Sequence, residues 1–226
     1  MTLKAIIFDA YGTLFDVYSI GVAAEKHFPG KGEAIAAMWR DKQIEYTRLR
    51  SMCSMYKPFW EVTQDALVFT CRKLGIELSF DAQHALMAQY AKLPAFTENE
   101  AVLQQLQQQN YKLAILTNAN PQMLDLAVKS AGLESYFDHL LSVDSVRKFK
   151  TAPEAYQLGI DLFGLPAKHI LFVSSNGWDV CGASWFGYTT FWANRAGAPL
   201  EELGVMPDGE GRSLDDLLKF VEARRQ

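Results

Sequence analysis

Short runs of consecutive apolar residues divide the chain into alternating segments. These runs do not alternate with polar residues, which is typical of strands that are buried on both faces of a parallel sheet. Four runs are clear, at residues 5–8, 113–116, 170–173 and 189–192, and a weaker fifth run covers residues 140–143. The pattern predicts that these runs are the strands of one parallel sheet.

The segments between the runs carry signals for helix starts. Thr97 with Glu100, and Thr151 with Glu154, have the spacing of a capping box, in which a threonine hydroxyl caps the first turn. Strands that alternate with helices indicate a doubly wound α/β fold. We therefore predict a mainly parallel, Rossmann-like sheet with helices on both faces.

The interval between residues 16 and 97 interrupts this alternation. It contains no strand-like run but three helix-forming stretches, at residues 32–52, 58–74 and 79–93. Gly75 follows the second stretch and Pro94 follows the third. We therefore predict an all-helical cap, inserted after the first strand. In this division, residues 1–15 and 98–226 form an α/β core domain with the catalytic site, and residues 16–97 form the cap domain.

Composition restricts the class of protein. The 226 residues are 49% hydrophobic, which is enough to bury a sizeable core without disulfides or metals. The three cysteines are far apart and form no CxxC pair, so neither a disulfide framework nor a zinc site is indicated. The first apolar run is too short for a signal peptide or a membrane span. We expect a cytoplasmic protein that does not bind membranes.

The charge balance narrows the choice of partners. The net charge is −4, and no long Lys/Arg block appears, which argues against nucleic-acid binding. Small molecules, or a second copy of the chain, are the expected partners. Because the overall field mildly repels anions, any bound anion needs local donors and cations.

Reactive or hydrogen-bonding residues follow the apolar runs. In open α/β sheets, ligands bind outside the carboxyl ends of the strands, so these residues are expected to converge. They include Asp9, Thr117, Asn118, Ser174, Ser175, Asn176 and Asn194, with Lys148 and Lys150 after the weaker run. An alternative is that they only cap strands and helices. The whole set, with the loop 10–13 directly after Asp9, favours a site.

Four segments resemble the motifs of the haloacid dehalogenase superfamily, and within it the L-2-haloacid dehalogenases. Residues 9–16 (DAYGTLFD) resemble the first motif and residues 116–118 (LTN) the second. Lys150, before TAPEAY, resembles the third, and residues 173–179 (VSSNGWD) resemble the fourth. Residues 39–46 are similar to a segment of the family's helical cap. The motifs follow in order along essentially the whole chain.

The first motif distinguishes two branches of this superfamily. Its phosphatases usually read D-x-D-x-T, where the second aspartate protonates the leaving alkoxide, but this chain has Tyr11 there. A halide leaves without a proton. The resemblance therefore implies an (S)-2-haloacid dehalogenase activity, the hydrolysis of L-2-haloalkanoic acids to D-2-hydroxyalkanoic acids and halide through an aspartyl ester. It implies no metal and no other cofactor.

The resemblance also implies a role for each catalytic residue. Asp9 is the nucleophile, and Lys150 keeps it ionised and balances the charge of two carboxylates. Asp179 is our candidate for activating the hydrolytic water, although the family shares this role among residues of the fourth motif and Lys150. Three further residues support the nucleophile loop or orient Lys150, Asp179 and the water: Thr13, Ser174 and Asn176.

The substrate carboxylate is expected to bind neutral donors. These are the Thr117 hydroxyl and backbone N–H groups after the first and second motifs, including Ala10. The halide is expected to bind Arg40 and Asn118. The alternative for Arg40 is an ordinary solvated charge on a helix.

Aromatic residues are expected to enclose the alkyl group of the substrate. Tyr11, Phe59 and Trp178 form this apolar wall, which excludes water. Tyr156 matches a family residue that forms hydrogen bonds near the site. The alternative for Tyr156 is a buried helix tyrosine without a role.

Two departures from the family pattern bear on this site. Thr117-Asn118-Ala119 replaces the common Ser-Asn-Gly, so the turn must be one that a residue with a Cβ tolerates. Asp41 follows Arg40, and its charge would oppose halide binding if it pointed inward. A phosphatase without its usual acid and a catalytically silent binding protein are the alternative functions. The family resemblance further implies a homodimer.

Overall fold

Six parallel strands form the sheet of the computed structural model, which describes residues 3–224. They are β1 (Ala5–Phe8), β2 (Lys112–Thr117), β3 (His139–Ser142), β4 (Ile170–Ser174), β5 (Thr189–Ala193) and β6 (Gly209–Gly211). Their spatial order is β3-β2-β1-β4-β5-β6. The predicted α/β fold is confirmed, and all five predicted strands are present. β6 was not predicted, because it consists of two glycines and a glutamate and has no apolar signal.

Nine α-helices accompany the strands within these residues. They are α1 (Ile20–His27), α2 (Gly32–Met52), α3 (Phe59–Lys73), α4 (Phe80–Tyr90), α5 (Asn99–Gln108), α6 (Pro121–Ser130), α7 (Pro153–Phe163), α8 (Gly177–Phe186) and α9 (Leu214–Ala223). The first five lie between β1 and β2 in the chain, and α1 to α4 belong to the predicted cap. Helices α6, α7 and α8 each connect consecutive strands from β2 to β5, and α9 follows β6, as is typical of a doubly wound sheet.

The centre of the sheet is fully buried. Every residue of β1 and β4 is buried, which explains why their sequences are continuous apolar runs. Phe8, the last residue of β1, pairs with Ile115 of β2 and Val173 of β4. The chain after β1 therefore emerges between the carboxyl ends of two neighbouring strands, where ligands bind in such folds.

Helices α1 to α4 pack on one another and form a separate helical segment. Trp39 of α2 is buried, and its indole N–H donates to the backbone carbonyl of Thr63 in α3 at 2.7 Å. The first turn of α2 approaches α1 closely, since a Cβ at Gly32 would lie 2.3 Å from the carbonyl oxygen of Gly21. Glycine at position 32 is therefore needed for this contact.

Two adjacent stretches of chain join the helical segment to the sheet. The backbone N–H of Asp16 donates to Pro94 O at 2.9 Å, and that of Phe96 donates to Leu14 O at 3.1 Å. The Asn99 side-chain amide also donates to Leu14 O, at 2.8 Å. The helical segment thus leaves and re-enters the α/β layer at one place.

The predicted capping boxes are wrong. α5 begins at Asn99 and α7 at Pro153, and neither helix start has a side-chain cap hydrogen bond. The expected partners make other contacts. Glu100 accepts a hydrogen bond from the Tyr136 hydroxyl, and the Thr151 side chain lies against Gly182. Glu100 and Thr151 therefore make tertiary contacts instead of the capping hydrogen bonds that their spacing allowed.

No helix among residues 3–224 is both long enough and apolar enough to cross a membrane.

Candidate active site

The predicted site residues converge at the carboxyl edge of the sheet. Asp9 directly follows β1, Thr117 ends β2 and Ser174 ends β4, and all three are buried. The backbone N–H of Asp9 continues the sheet by donating to Val173 O at 2.8 Å. The central strands therefore hold the Asp9 carboxylate at the switch point of the fold.

The two carboxylate oxygens of Asp9 have different surroundings. Oδ1 accepts a hydrogen bond from the Lys150 ammonium at 2.9 Å. Oδ2 accepts from three neutral donors: the Thr13 hydroxyl at 2.9 Å, Asn176 Nδ2 at 2.8 Å and the Ser174 hydroxyl at 3.4 Å. One oxygen thus contacts a cation, and the other lies in a cluster of neutral hydrogen-bond donors.

Lys150 links two carboxylates. Its side chain is 1% exposed, and its ammonium lies 2.9 Å from both Asp9 Oδ1 and Asp179 Oδ2. Burial alone would lower the pKa of Lys150, but the charges of Asp179 and Asp9 outweigh it and raise the pKa above its usual value. Lys150 is therefore a cation at neutral pH.

Asp179 lies behind Lys150, as seen from Asp9. Burial raises the pKa of Asp179, although the charge of Lys150 opposes this effect. Its Oδ1 accepts a hydrogen bond from the Tyr156 hydroxyl at 2.7 Å. Tyr156 is therefore a buried helix tyrosine that also contacts the site.

The helical segment contributes Arg40. Its guanidinium is buried, with Nη2 at 3.1 Å from both the Tyr11 carbonyl oxygen and Asn176 Oδ1. The alternative of a solvated helix charge is wrong, because the side chain crosses from α2 to the loops that follow β1 and β4.

A small cavity lies between Asp9 and the helical segment. It has a volume of about 20 Å³ and is lined by Asp9, Tyr11, Arg40, Ile44, Thr47, Phe59, Thr117, Asn118, Asn176 and Trp178. This volume holds about one water molecule. The three aromatic residues predicted for the apolar wall all line it.

Other predicted residues lie outside this lining. Three of them contact the Asp9 carboxylate directly: Lys150, Thr13 and Ser174. Asp179 contacts Lys150, and Tyr156 contacts Asp179. Ala10 is buried, and its carbonyl accepts the amides of Leu14 and Phe15 in the turn after Asp9.

The family model of haloacid dehalogenase-like hydrolases matches residues 3–187. The chain belongs to this family. It is 46% identical over 220 residues to an (S)-2-haloacid dehalogenase from Pseudomonas sp. strain YL, covering 97% of this chain and 95% of that protein.

Solved structures of L-2-haloacid dehalogenases are similar to this haloacid dehalogenase-like hydrolase along nearly its whole chain. A crystal structure of an L-2-haloacid dehalogenase is 56% identical, with a TM-score of 0.96, and covers 98% of this chain and 100% of its own. A second structure is the L-2-haloacid dehalogenase from Xanthobacter autotrophicus with chloropropionic acid covalently bound. It is 37% identical, with a TM-score of 0.89, covering 98% of this chain and 99% of that one.

The two departures from the family pattern are accommodated in the hydrolase. Ala119 is buried and is not among the described non-glycine residues with positive φ, so its turn needs no glycine. Its N–H donates to the Thr117 hydroxyl at 3.2 Å. Asp41 is exposed and lines surface grooves, not the cavity. Its carboxylate therefore lies outside the cavity that Arg40 lines.

Sequence reasoning missed two residues that line the cavity of this hydrolase. Ile44 and Thr47 follow Arg40 by four and seven positions on α2, so all three lie on one face of the helix. Once Arg40 was assigned to the site, helical periodicity alone would have found both.

Two surface grooves adjoin the cavity. One has a volume of about 440 Å³ and shares Arg40, Ile44, Asn176 and Trp178 with the cavity lining. The other, of about 510 Å³, shares only Ile44 and Trp178. Ile44 and Trp178 therefore lie between the cavity and both grooves.

Proposed function

We propose that this hydrolase converts L-2-haloalkanoic acids to D-2-hydroxyalkanoic acids and halide through an ester of Asp9. One observation carries the proposal: the Asp9 carboxylate and the Arg40 guanidinium line the same small cavity, together with three aromatic side chains. A displaced halide carries a negative charge, so a nucleophile and a buried cation around one cavity suit this reaction. The relative with covalently bound chloropropionic acid supports an ester intermediate.

In the first step, Asp9 Oδ1 attacks C2 of the substrate. This oxygen contacts Lys150, whereas Oδ2 is already occupied by neutral donors. The new Oδ1–C2 bond forms as the carbon–halogen bond breaks, and the halide leaves with both electrons toward Arg40 and Asn118. Exclusion of water makes the carboxylate a stronger nucleophile than it is in bulk solution. Attack from the opposite side inverts C2.

In the second step, water adds to Cγ of the Asp9 ester. The electron pair moves to Oδ2, where Thr13, Ser174 and Asn176 donate hydrogen bonds to the oxyanion. Collapse breaks the Cγ–Oδ1 bond and releases the hydroxy acid with the Oδ1 oxygen. Each cycle consumes one water and releases one halide and one proton.

The second step also needs a base. Asp179 takes this role in the proposal, because burial raises its pKa and makes it a stronger base than a solvated carboxylate. The ester removes the charge of Asp9, so Asp179 becomes the carboxylate that pairs with Lys150. Tyr156 holds Asp179 in place through its hydroxyl.

The remaining residues of the site bind the substrate. The Thr117 hydroxyl, with backbone N–H groups near Ala10 and Asn118, holds the substrate carboxylate through neutral donors. The alkyl group lies against Tyr11, Phe59 and Trp178, which line the cavity.

Halide release from the separate enantiomers of 2-chloropropionate tests the proposal. We expect chloride and D-lactate from the L enantiomer and no turnover of the D enantiomer. Magnesium-dependent phosphate release from a phosphomonoester, without chloride release, would instead establish the phosphatase alternative. A folded, monodisperse sample that turns over neither substrate class would point to a binding protein.

We propose that residues 16–97 act as a cap domain and that residues 1–15 and 98–226 act as the core domain. The cavity of about 20 Å³ is too small for a haloalkanoate, so the cap has to move for each turnover. Slower trypsin cleavage within residues 16–97 when a slow substrate is bound would support this division. Equal cleavage in both states would contradict it.

We further propose that the enzyme is a cytoplasmic homodimer. Three unpaired cysteines are compatible with a reducing compartment. Exposed apolar side chains on the helical segment, Met52, Met55 and Phe80, suit contact with a second copy. Cell fractionation tests the location, and light scattering after gel filtration tests the dimer.

A further inference from the structure

A buried polar network lies behind Arg40, away from the cavity. Gln43 follows Arg40 by three residues on α2 and is 0% exposed. Its Oε1 accepts hydrogen bonds from Arg40 Nη1 at 2.8 Å and from the Tyr90 hydroxyl at 3.1 Å. Its Nε2 donates to the Thr63 hydroxyl oxygen at 2.7 Å. Neither of the two proposed reaction steps uses Gln43.

The network determines which way the Gln43 amide faces. The Thr63 hydroxyl donates its only proton to the Phe59 carbonyl at 2.8 Å, so toward Gln43 it acts as an acceptor. Gln43 must therefore turn Nε2 to Thr63 and Oε1 to Arg40. The contact with Thr63 of α3 therefore fixes the Gln43 amide so that its oxygen, and not its nitrogen, faces Arg40.

The oxygens that hold Arg40 are all neutral. They belong to the Tyr11 carbonyl, the Asn176 amide and the Gln43 amide. Among the described residues, no carboxylate forms a salt bridge with Arg40, although the guanidinium is buried. Burying an unpaired cation is costly, and that cost is reduced when an anion enters the cavity.

We propose that Gln43 is a positioning residue that holds Arg40 through a neutral acceptor, so that the guanidinium charge remains available to the departing halide. The inference rests on the proposed dehalogenase function. A glutamate at position 43 would fit the same space and accept the same hydrogen bond, but its charge would neutralise Arg40. Position 43 then determines how strongly the site holds halide.

The Gln43→Glu variant tests this inference. For L-2-chloropropionate and L-2-bromopropionate, kcat, KM and product inhibition by chloride and bromide are measured in the wild type and the variant. We expect the chloride inhibition constant to rise about tenfold or more, because a buried neighbouring charge opposes the anion. The loss of kcat/KM should be larger for the chloro substrate, since chloride is the poorer leaving group.

Two further variants separate positioning from a loss of folding. Gln89→Glu adds the same charge at an exposed position of α4 and should leave every constant within about twofold. Thr63→Val is close in volume and removes the acceptor that orients the Gln43 amide. It should raise the chloride inhibition constant in the same direction, by about threefold.

The outcomes distinguish this inference from the proposed function. A wild type that releases no halide overturns the function itself. A wild type that turns over normally, with Gln43→Glu and Thr63→Val both keeping its chloride inhibition and its chloro-to-bromo ratio, overturns only the role of Gln43. If Gln43→Glu does not fold, the Thr63→Val result alone decides.

Discussion

The Lys150 ammonium lies 2.9 Å from Oδ1 of Asp9, a residue 141 positions earlier in the chain. Both side chains are almost completely buried, so bulk water does not solvate either charge and this contact stabilises both. The same ammonium contacts Asp179 at 2.9 Å. Formation of an Asp9 ester would remove one of these two negative charges and leave the other beside Lys150.

The first prediction concerns the origin of the product oxygen. With enzyme in excess over L-2-chloropropionate in ¹⁸O-water, the lactate should carry no label, because its new oxygen comes from Asp9. The peptide that contains Asp9 should gain one ¹⁸O, measured by mass spectrometry after digestion. Enzyme incubated without substrate is the control. Label in the lactate of the first turnover would show direct attack by water.

The second prediction concerns stability. Lys150→Met leaves two buried carboxylates without their cation and should lower the free energy of unfolding at pH 7 by about 3–5 kcal/mol. The folded-state pKa of Lys150 is raised, so its contribution is fully present at pH 7 and is lost only above its ordinary value. Urea denaturation measures the change.

The loss should shrink at low pH, where Asp179 becomes neutral, because its pKa is raised by burial. Lys129→Met removes an exposed lysine from α6 and should change the unfolding free energy little. If Lys150→Met lowers the free energy of unfolding as little as Lys129→Met does, the buried charge pairs of Lys150 do not stabilise the fold.

The third prediction concerns the acid limb of activity. Asp179 must be ionised to act as a base, so kcat should fall as the pH drops through its raised pKa. The Tyr156 hydroxyl hydrogen bond lowers the pKa of Asp179, so Tyr156→Phe should raise it and move the acid limb to higher pH. Tyr188→Phe removes a buried hydroxyl that donates to the Tyr156 carbonyl and is the control. An unmoved limb in Tyr156→Phe would assign the limb to another group.

The fourth prediction contrasts two neighbouring residues. Asp41 is exposed and outside the cavity lining, so Asp41→Asn should change kcat/KM by less than about threefold. Arg40→Lys removes the planar guanidinium that bridges Tyr11 and Asn176 and should lower kcat/KM about 100-fold or more. Steady-state assays with L-2-chloropropionate measure both. A large gain in Asp41→Asn would show that its charge reaches the halide.

The fifth prediction concerns substrate size. Trp178→Ala should connect the cavity with both grooves, so the longer substrate L-2-chlorohexanoate should gain in kcat/KM relative to L-2-chloropropionate. The absolute kcat should fall, because water then solvates Asp9. Trp185→Ala changes an exposed tryptophan of the same helix and serves as the control. An unchanged preference between the two substrates would mean that Trp178 does not limit the space for the alkyl group.

Elements with a strong local signal were predictable from the sequence. The run at residues 5–8 is β1, and the stretch at residues 32–52 is α2, with the same bounds in prediction and structure. Burial on both faces of a strand requires an unbroken apolar run, which makes such a strand easy to recognise. The sequence pattern did not indicate α1 as a separate helix. It did not indicate β6 either, because Gly-Glu-Gly contains no apolar side chain.

The sequence by itself determined five of the six strands, the residue types at their ends and the family to which the motifs belong. The tertiary structure decided which charges are buried and what they contact. It turned Asp41 outward, held Arg40 with neutral oxygens and left a cavity for one water between Asp9 and Trp178. The physical reason is that an apolar run identifies a strand from neighbouring residues alone. Burial and the contacts of a charge instead depend on residues far apart in the chain, such as Arg40 and Asn176.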